Sequence, residues 1–275
     1  MPQRSLKQDL SAWMDANGEQ NALGWPQRRD VATMVLLATP RSGSTWLCEL
    51  LDSTGEIGFP QEYINGENVA LFNNTVQSNN ERDYLNGCCW NFATENNIFV
   101  IKTTVGDALR LEEIDFFEYF YQSSFIIIRR KNIIAQAVSM YVALTRGVFH
   151  VQSPDLLINE EERDAILDAS NSSVNSAIKQ WVCHILNYEL TTEIQIMARD
   201  ITPIRIDYES LIDEPRRAVE KIARSMPIRL KRNVPITGRT IKLAENVHYE
   251  LEARFRLAEP KFLANVERIR PRLDP

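Results

Sequence analysis

The chain has 275 residues, 44% of them hydrophobic and 25% charged, with 37 acidic side chains against 31 lysines and arginines for a net charge of −6. That length allows a sizeable core in one α/β domain, and the acidic balance argues against a nonspecific nucleic-acid binder, whose affinity rests on basic surface. Residues 1–18 carry no apolar signal-peptide core and no apolar run approaches the ~20 residues of a membrane span, so a cytoplasmic protein with no membrane span is expected. Cys48, Cys88, Cys89 and Cys183 lack the paired spacing of a zinc site, and a bridge between adjacent Cys88 and Cys89 would be strained, so all four read as reduced thiols.

In chain order, residues 5–17 read as an amphipathic helix with Leu6, Leu10, Trp13 and Met14 on one face. Residues 31–39 read as a buried strand, 44–53 as a helix, and the polar, Asn-rich stretch 60–87 as loop with a short helix. A second buried strand covers 98–101, a helix 109–121, a third strand 124–129 and a helix 132–145. Residues 147–173 are less regular, with an acidic run at Glu160, Glu161 and Glu162. A long helix follows over about 174–197, then a fourth strand at 203–206, a helix at 216–226 and another at 245–257. Continuous apolar strands alternating with helices predict an α/β fold with a central parallel sheet covered by helices on both sides. Ligands in such folds bind beyond the carboxyl ends of the strands. The loop at Arg41, Lys102, Arg130 and the turn Asp207-Tyr208-Glu209 all fall at such ends.

The most informative segment is Thr39-Pro40-Arg41-Ser42-Gly43-Ser44-Thr45-Trp46, between the first strand and its helix. A strand, a tight Gly- and hydroxyl-rich loop and a helix start converge free N–H groups and the positive helix end on an anion. A nucleoside-triphosphate loop of the type G-x-x-x-x-G-K-[ST] needs Lys directly after its second Gly. Here Ser44 follows Gly43 and the cation comes earlier, as Arg41. That argues against ATP, and a kinase or NTPase is the reading it weakens. Two further segments stand out: Thr54-Gly55-Glu56-Ile57-Gly58-Phe59-Pro60-Gln61-Glu62-Tyr63, and the run from Arg129-Arg130-Lys131 through Gln136-Ala137-Val138-Ser139.

The three segments, in this order, resemble the sulfotransferases that use 3′-phosphoadenosine 5′-phosphosulfate (PAPS), and within them the bacterial trehalose-sulfotransferase-like family. The resemblance implies a P-loop-like three-layer sulfotransferase fold, with a nucleotide-binding core over about 31–226. It implies PAPS as donor and 3′-phosphoadenosine 5′-phosphate as product, with no metal. Arg41, Ser42, Gly43, Ser44, Thr45 and Trp46 would hold the 5′-phosphosulfate. Arg130 and Ser139 would hold the 3′-phosphate, with Arg129 and Lys131 as alternatives to Arg130. Glu62 matches the glutamate proposed as general base in that family. His150, in a loop after the Arg130 helix, is its rival, with His184 and His248 behind. Lys102 would neutralise charge at the transferring group, and Lys242 or Arg239 in the tail would close over the nucleotide.

The acceptor is expected to be a small polar molecule such as a sugar or glycoside, in a pocket formed by about 60–79 and 147–173. Tyr63, Phe72 and Phe149 are candidates for stacking on it. A nitrogen acceptor, a guanidinium or amine, is the alternative, and the acidic run 160–164 could attract it. A noncatalytic nucleotide-binding protein is a third reading, against which the set Arg41, Glu62, Lys102, Arg130 and Ser139 weighs. Dimers are common in such enzymes, and Trp13 on the first helix is a candidate interface residue.

Overall fold

The computed structural model describes residues 4–18, 22–149, 157–168, 171–230, 234–239 and 246–270. Its elements run α1 (Leu6–Asn17), β1 (Ala32–Ala38), α2 (Ser44–Asp52), α3 (Gly66–Val76), α4 (Glu81–Phe92), β2 (Ile98–Thr103), α5 (Val105–Ala108), α6 (Phe116–Tyr119) and β3 (Ser124–Arg129). They continue as α7 (Ile133–Arg146), α8 (Glu160–Asp168), α9 (Asn171–Ala198), β4 (Ile204–Asp207), α10 (Tyr208–Asp213), α11 (Pro215–Ala223), α12 (Asn246–Ala258) and α13 (Pro260–Ile269).

The four strands form one parallel sheet in the order β2-β1-β3-β4. This is the expected α/β architecture, with helices over a central parallel sheet. Alternate side chains of each strand enter different cores, as the strand period of two requires. Val35, Leu37, Phe99, Ile101, Phe125 and Ile127 pack with residues of α1, α3, α4 and α6. Met34, Leu36, Ile98, Val100, Ile126 and Ile128 pack against α2 and α11. A third cluster joins α7, α8, α9, α12 and α13 through Ile134, Val138, Ile178, Val182, Leu251 and Phe255. The register pairs Leu37 with Thr103 and with Ile127, and Arg129 with Asp207. Hence Thr39, Thr104, Arg130 and Tyr208 leave the sheet at one edge. The chain turns outward in opposite directions from β1 to β2 and to β3, so the β1 loop sits at the point where strand order reverses.

Two expectations about local structure are corrected. The Asn-rich stretch holds two full helices, α3 and α4, and two of its asparagines, Asn65 and Asn80, are their N-caps. Asn65 Oδ1 accepts the Glu67 N–H at 3.2 Å, and Asn80 Oδ1 accepts the Asp83 N–H at 2.9 Å. Asn73 is fully buried and exchanges two hydrogen bonds of 2.9 Å with the Ser78 backbone. Of the single helix expected over 109–121 only α6 (Phe116–Tyr119) forms, and 109–115 is not helical. The buried Glu81 carboxylate accepts the N–H groups of Glu112 and Glu113 at 2.9 and 2.8 Å, and Asp115 caps α6 through the Phe117 and Glu118 N–H groups. These acceptors outcompete intrahelical carbonyls there. Further, α10 and α13 were not foreseen, and Trp13 is not an exposed interface residue. It is 7% exposed, and its indole N–H donates to Asn74 Oδ1 at 2.8 Å, tying α1 to α3. All four cysteines are free, with Cys183 exposed. No helix among the described residues is long and apolar enough to cross a membrane.

Glu81→Ala removes both acceptors and leaves two N–H groups under α4 unpaired. We expect it to lower unfolding free energy by about 2–3 kcal/mol, read as a lower urea midpoint at unchanged slope. A midpoint within error of the parent would show that the 109–115 segment does not depend on Glu81.

Candidate functional site

At the carboxyl edge of the sheet lies a cavity of about 810 Å³. Its floor is the segment between β1 and α2. Arg41 and Gly43 both take left-handed backbone, with φ of 62° and 89°. For Arg41 that geometry carries a steric cost, which neighbours must hold in place. The Gln136 amide does so from α7, donating to Thr39 Oγ1 at 2.8 Å and to the Pro40 carbonyl at 2.7 Å. Gly43 is required twice over: besides its φ, a Cβ there would lie 2.3 Å from Cδ2 of Tyr208. Gly43 is the N-cap of α2, and no side chain caps that helix. The N–H groups of Ser44, Thr45 and Trp46 therefore start the helix without an intrahelical acceptor, and their residues line the cavity.

Cations surround this helix end. Arg41 Nε donates to Ser139 Oγ at 3.1 Å, and its Nη1 donates to the Phe149 carbonyl. Burial, and after it the positive charge of Arg130, push the Arg41 pKa below its ordinary value. Arg130 lies over the Tyr208 ring, its guanidinium carbon 4.9 Å from the centroid, with its buried Nε lacking a partner. Among the described residues neither guanidinium is paired with a carboxylate. The neighbours of Arg130 behave otherwise. Arg129 is buried and ion-paired with Glu193, and Lys131 Nζ sits 3.1 Å from Asp207. Of the three basic residues, Arg130 alone lines the cavity.

Opposite the helix end is an ion pair. Gln61 bridges to the outer edge of β2 at Ile101, and its carbonyl accepts the Lys102 N–H at 2.9 Å. That places Glu62 beside the Lys102 side chain, with Nζ 2.8 Å from Oε1. Lys102 Nζ also reaches Thr45 Oγ1 at 3.5 Å, linking the pair to the loop. Burial opposes the Lys102 charge, but the Cys48 sulfur and the Glu62 carboxylate outweigh it and raise its pKa. Burial pushes the Cys48 thiol up to about 12, so at neutral pH the sulfur is uncharged and Glu62 holds the ammonium.

The cavity thus brings together Arg41, Gly43, Ser44, Thr45, Trp46, Glu62, Lys102, Arg130 and Ser139, all anticipated from sequence. Ser42 differs: it is fully buried beneath the loop, its N–H bonded to the Thr39 carbonyl at 3.2 Å and its hydroxyl without a partner. His150 and Lys242 lie outside the described residues. Arg239 does not line the cavity: its N–H donates to Glu49 Oε2 at 2.7 Å and its guanidinium pairs with Asp52 at 3.1 Å, strapping this segment to α2. His184 is exposed on α9, whereas His248 lines the cavity.

Two acceptor expectations are corrected. Tyr63 and Phe72 cannot stack on an acceptor, because both belong to the sheet core. The Tyr63 ring stacks on Phe92 and Phe99 at 5.3 and 5.2 Å, and Phe72 packs 4.6 Å from it. Only Phe149 of the three reaches the cavity. The acidic run at 160–164 also lies away from it, with Glu162 paired to Arg146 at 3.1 Å. Residues that sequence reasoning missed are Asn65, Gln136 and, as a cavity wall, Tyr208. The signal for Gln136 lay inside the Gln-Ala-Val-Ser run, and that for Tyr208 in its place directly after β4. Asn65 carried none beyond its distance of three residues from Glu62.

The comparisons with known proteins can be set beside this geometry. No curated protein matches the chain. A family model described as Stf0 sulphotransferase matches residues 33–89 and 100–258. The match spans the β1 loop, Glu62, Lys102, the Arg130-to-Ser139 segment and α12, which together enclose the cavity. The chain belongs to the Stf0 sulphotransferase family and is a sulfotransferase.

Proposed function

We propose that the chain transfers the sulfuryl group of PAPS to a hydroxyl of a small polar acceptor. The observation that carries this reading is the pair of carboxylate-free guanidiniums, Arg41 and Arg130, facing one cavity at the uncapped start of α2. A donor with phosphates at two ends suits two such cation sites, and the Arg130 Nε without a partner suits an anionic guest. When bound, the donor supplies an activated sulfur on a phosphate leaving group. The chain's own residues supply position and charge, as in-line group transfer requires.

In this reading the N–H groups of Ser44 to Trp46, the Thr45 hydroxyl and Arg41 grip the 5′-phosphate oxygens. Arg130 and Ser139 grip the 3′-phosphate. Glu62 takes the acceptor proton as the new S–O bond forms. The Lys102 ammonium, held between Glu62 and Thr45, neutralises the negative charge left on the phosphate oxygen as the old S–O bond breaks. Around Glu62 the cavity is lined by Asn65, Glu67, Asn68, Thr103 and Thr104. These polar side chains suit a hydroxyl-rich acceptor. Glu67 also favours the second reading, a guanidinium or amine acceptor sulfated on nitrogen, since its carboxylate would attract a cation.

Calorimetric titration tests the donor. We expect 3′-phosphoadenosine 5′-phosphate to bind more tightly than AMP or ATP·Mg, without need of magnesium. Arg130→Ala should weaken the 3′-phosphorylated nucleotide roughly 10- to 100-fold and leave AMP unchanged; equal losses for both would remove Arg130 from 3′-phosphate recognition. Glu62→Gln should lower kcat by roughly 10²- to 10⁴-fold with product-nucleotide affinity retained, and near-normal kcat would end its role as base. For the acceptor, a polyol such as trehalose should be sulfated faster than a guanidine or amine of similar size; the reverse order would select the nitrogen reading.

A further inference from the structure

We infer that Asn65 is a positioning residue for Glu62, orienting its carboxylate and favouring the charged, proton-accepting form. The inference rests on the reading of Glu62 as the base. The two carboxylate oxygens of Glu62 have different neighbours. Oε1 faces Lys102 Nζ at 2.8 Å, and Oε2 accepts a hydrogen bond from Asn65 Nδ2 at 3.0 Å. Asn65 is also the N-cap of α3, its Oδ1 accepting the Glu67 N–H at 3.2 Å. These two contacts fix the amide orientation. The oxygen must face the helix N–H, so the nitrogen must face the carboxylate.

The backbone reinforces the arrangement. The Asn65 N–H donates to the Glu62 carbonyl at 3.2 Å, and Asn68 Nδ2 approaches the same carbonyl at 3.4 Å. Beyond its cap, α3 is anchored by buried Val69, Asn73 and Val76. Asn65 therefore reaches Glu62 from a rigid helix, and Lys102 reaches it from a sheet strand. Two donors on two packed elements leave the carboxylate little freedom to rotate, as a general base requires.

A hydrogen bond donated to the charged carboxylate lowers its pKa, so losing that bond raises it. The charged and titratable groups around Glu62 come from several elements. Lys102 of β2 favours the carboxylate. Cys48 of α2 is a neutral thiol at working pH. Asp107 of α5 opposes the charge; burial, and further down Glu62 itself, raise the Asp107 pKa, while Thr104 Oγ1 holds its carboxyl at 2.7 Å. Glu67, exposed on α3, opposes it too. Asn65 adds a neutral donor to this set. A base acts when deprotonated, so kcat rises with pH through the Glu62 pKa. Raising that pKa moves the acid limb of the profile to higher pH.

The cap and the positioning role separate by substitution. Asn65→Asp keeps the cap acceptor, removes the donor and places a like charge on Glu62. Asn65→Ser keeps a cap acceptor and removes the donor without adding charge. We expect both variants to keep the parent Tm within a few degrees and to bind 3′-phosphoadenosine 5′-phosphate normally. The acid limb of kcat should move up by about one pH unit in Asn65→Asp and by less in Asn65→Ser. An unchanged acid limb in both, with Glu62→Gln inactive, would overturn the inference and leave Glu62 as base. A lowered Tm with an unmoved limb would reduce Asn65 to a helix cap and equally overturn it. If Glu62→Gln keeps its kcat, the base reading itself fails, and the positioning role falls with it.

Discussion

The structure depends on the parallel register of β1 with β2 and β3. Pairing Leu37 with both Thr103 and Ile127 makes three strands end level. Everything that follows a strand then meets at one edge: the β1 loop, Thr104, Arg130 and, through β4, Tyr208. Parallel strands buried on both faces cannot slip by one residue without moving Met34 and Leu36 into the core that Val35 and Leu37 occupy. Core packing therefore fixes where the cations and the carboxylate stand, although none of those groups belongs to the core.

On that edge the chain builds an electropositive floor and supports it from behind. Left-handed Arg41 and Gly43 bend the loop so that α2 begins without a side-chain cap. Gln136 holds the start of the loop, and the Tyr208 ring lies against both Gly43 and Arg130. Glu209, next along α10, accepts the N–H groups of Lys131 and Asn132 at 2.9 and 3.2 Å, fixing the turn that carries Arg130. Two guanidiniums thus face one cavity while adjacent Arg129 and Lys131 are neutralised by Glu193 and Asp207. Selective neutralisation concentrates positive charge where an anion would sit in a chain of net charge −6. The Glu62–Lys102 pair adds a carboxylate and an ammonium within one contact distance, each favouring the charged form of the other.

Much of this was legible in the residues. Strand–loop–helix punctuation located the loop between β1 and α2, since an apolar run, a Gly and hydroxyls carry their own local geometry. Strand ends located Lys102 and Arg130. The Asn-rich stretch was harder, because asparagine in a sequence reads equally as loop, cap or buried hydrogen-bonding group. Asn65, Asn80 and Asn73 turn out to cap or to be buried, and what decides it is the partner each meets. The non-helical stretch 109–115 was hidden for the same reason, since the Glu81 carboxylate that accepts its Glu112 and Glu113 N–H groups lies about thirty residues away in the chain. The aromatic candidates failed on orientation: Tyr63 follows Glu62 directly, yet its ring is buried against Phe72, Phe92 and Phe99 while Glu62 lines the cavity.

By itself the sequence determined the α/β class, the succession of strands and helices around the sheet, the Gly- and hydroxyl-rich loop without its Lys, and nine of the residues around the cavity. These rest on local chemistry: hydrophobic period, backbone freedom at glycine, and side-chain charge. Only the tertiary structure decided which cation among Arg129, Arg130 and Lys131 faces the cavity, that Ser42 lies beneath the loop, that Tyr63 and Phe72 belong to the core, and that Asn65 holds Glu62. Each of those depends on partners distant in sequence or on which way a side chain points, and a linear pattern records neither.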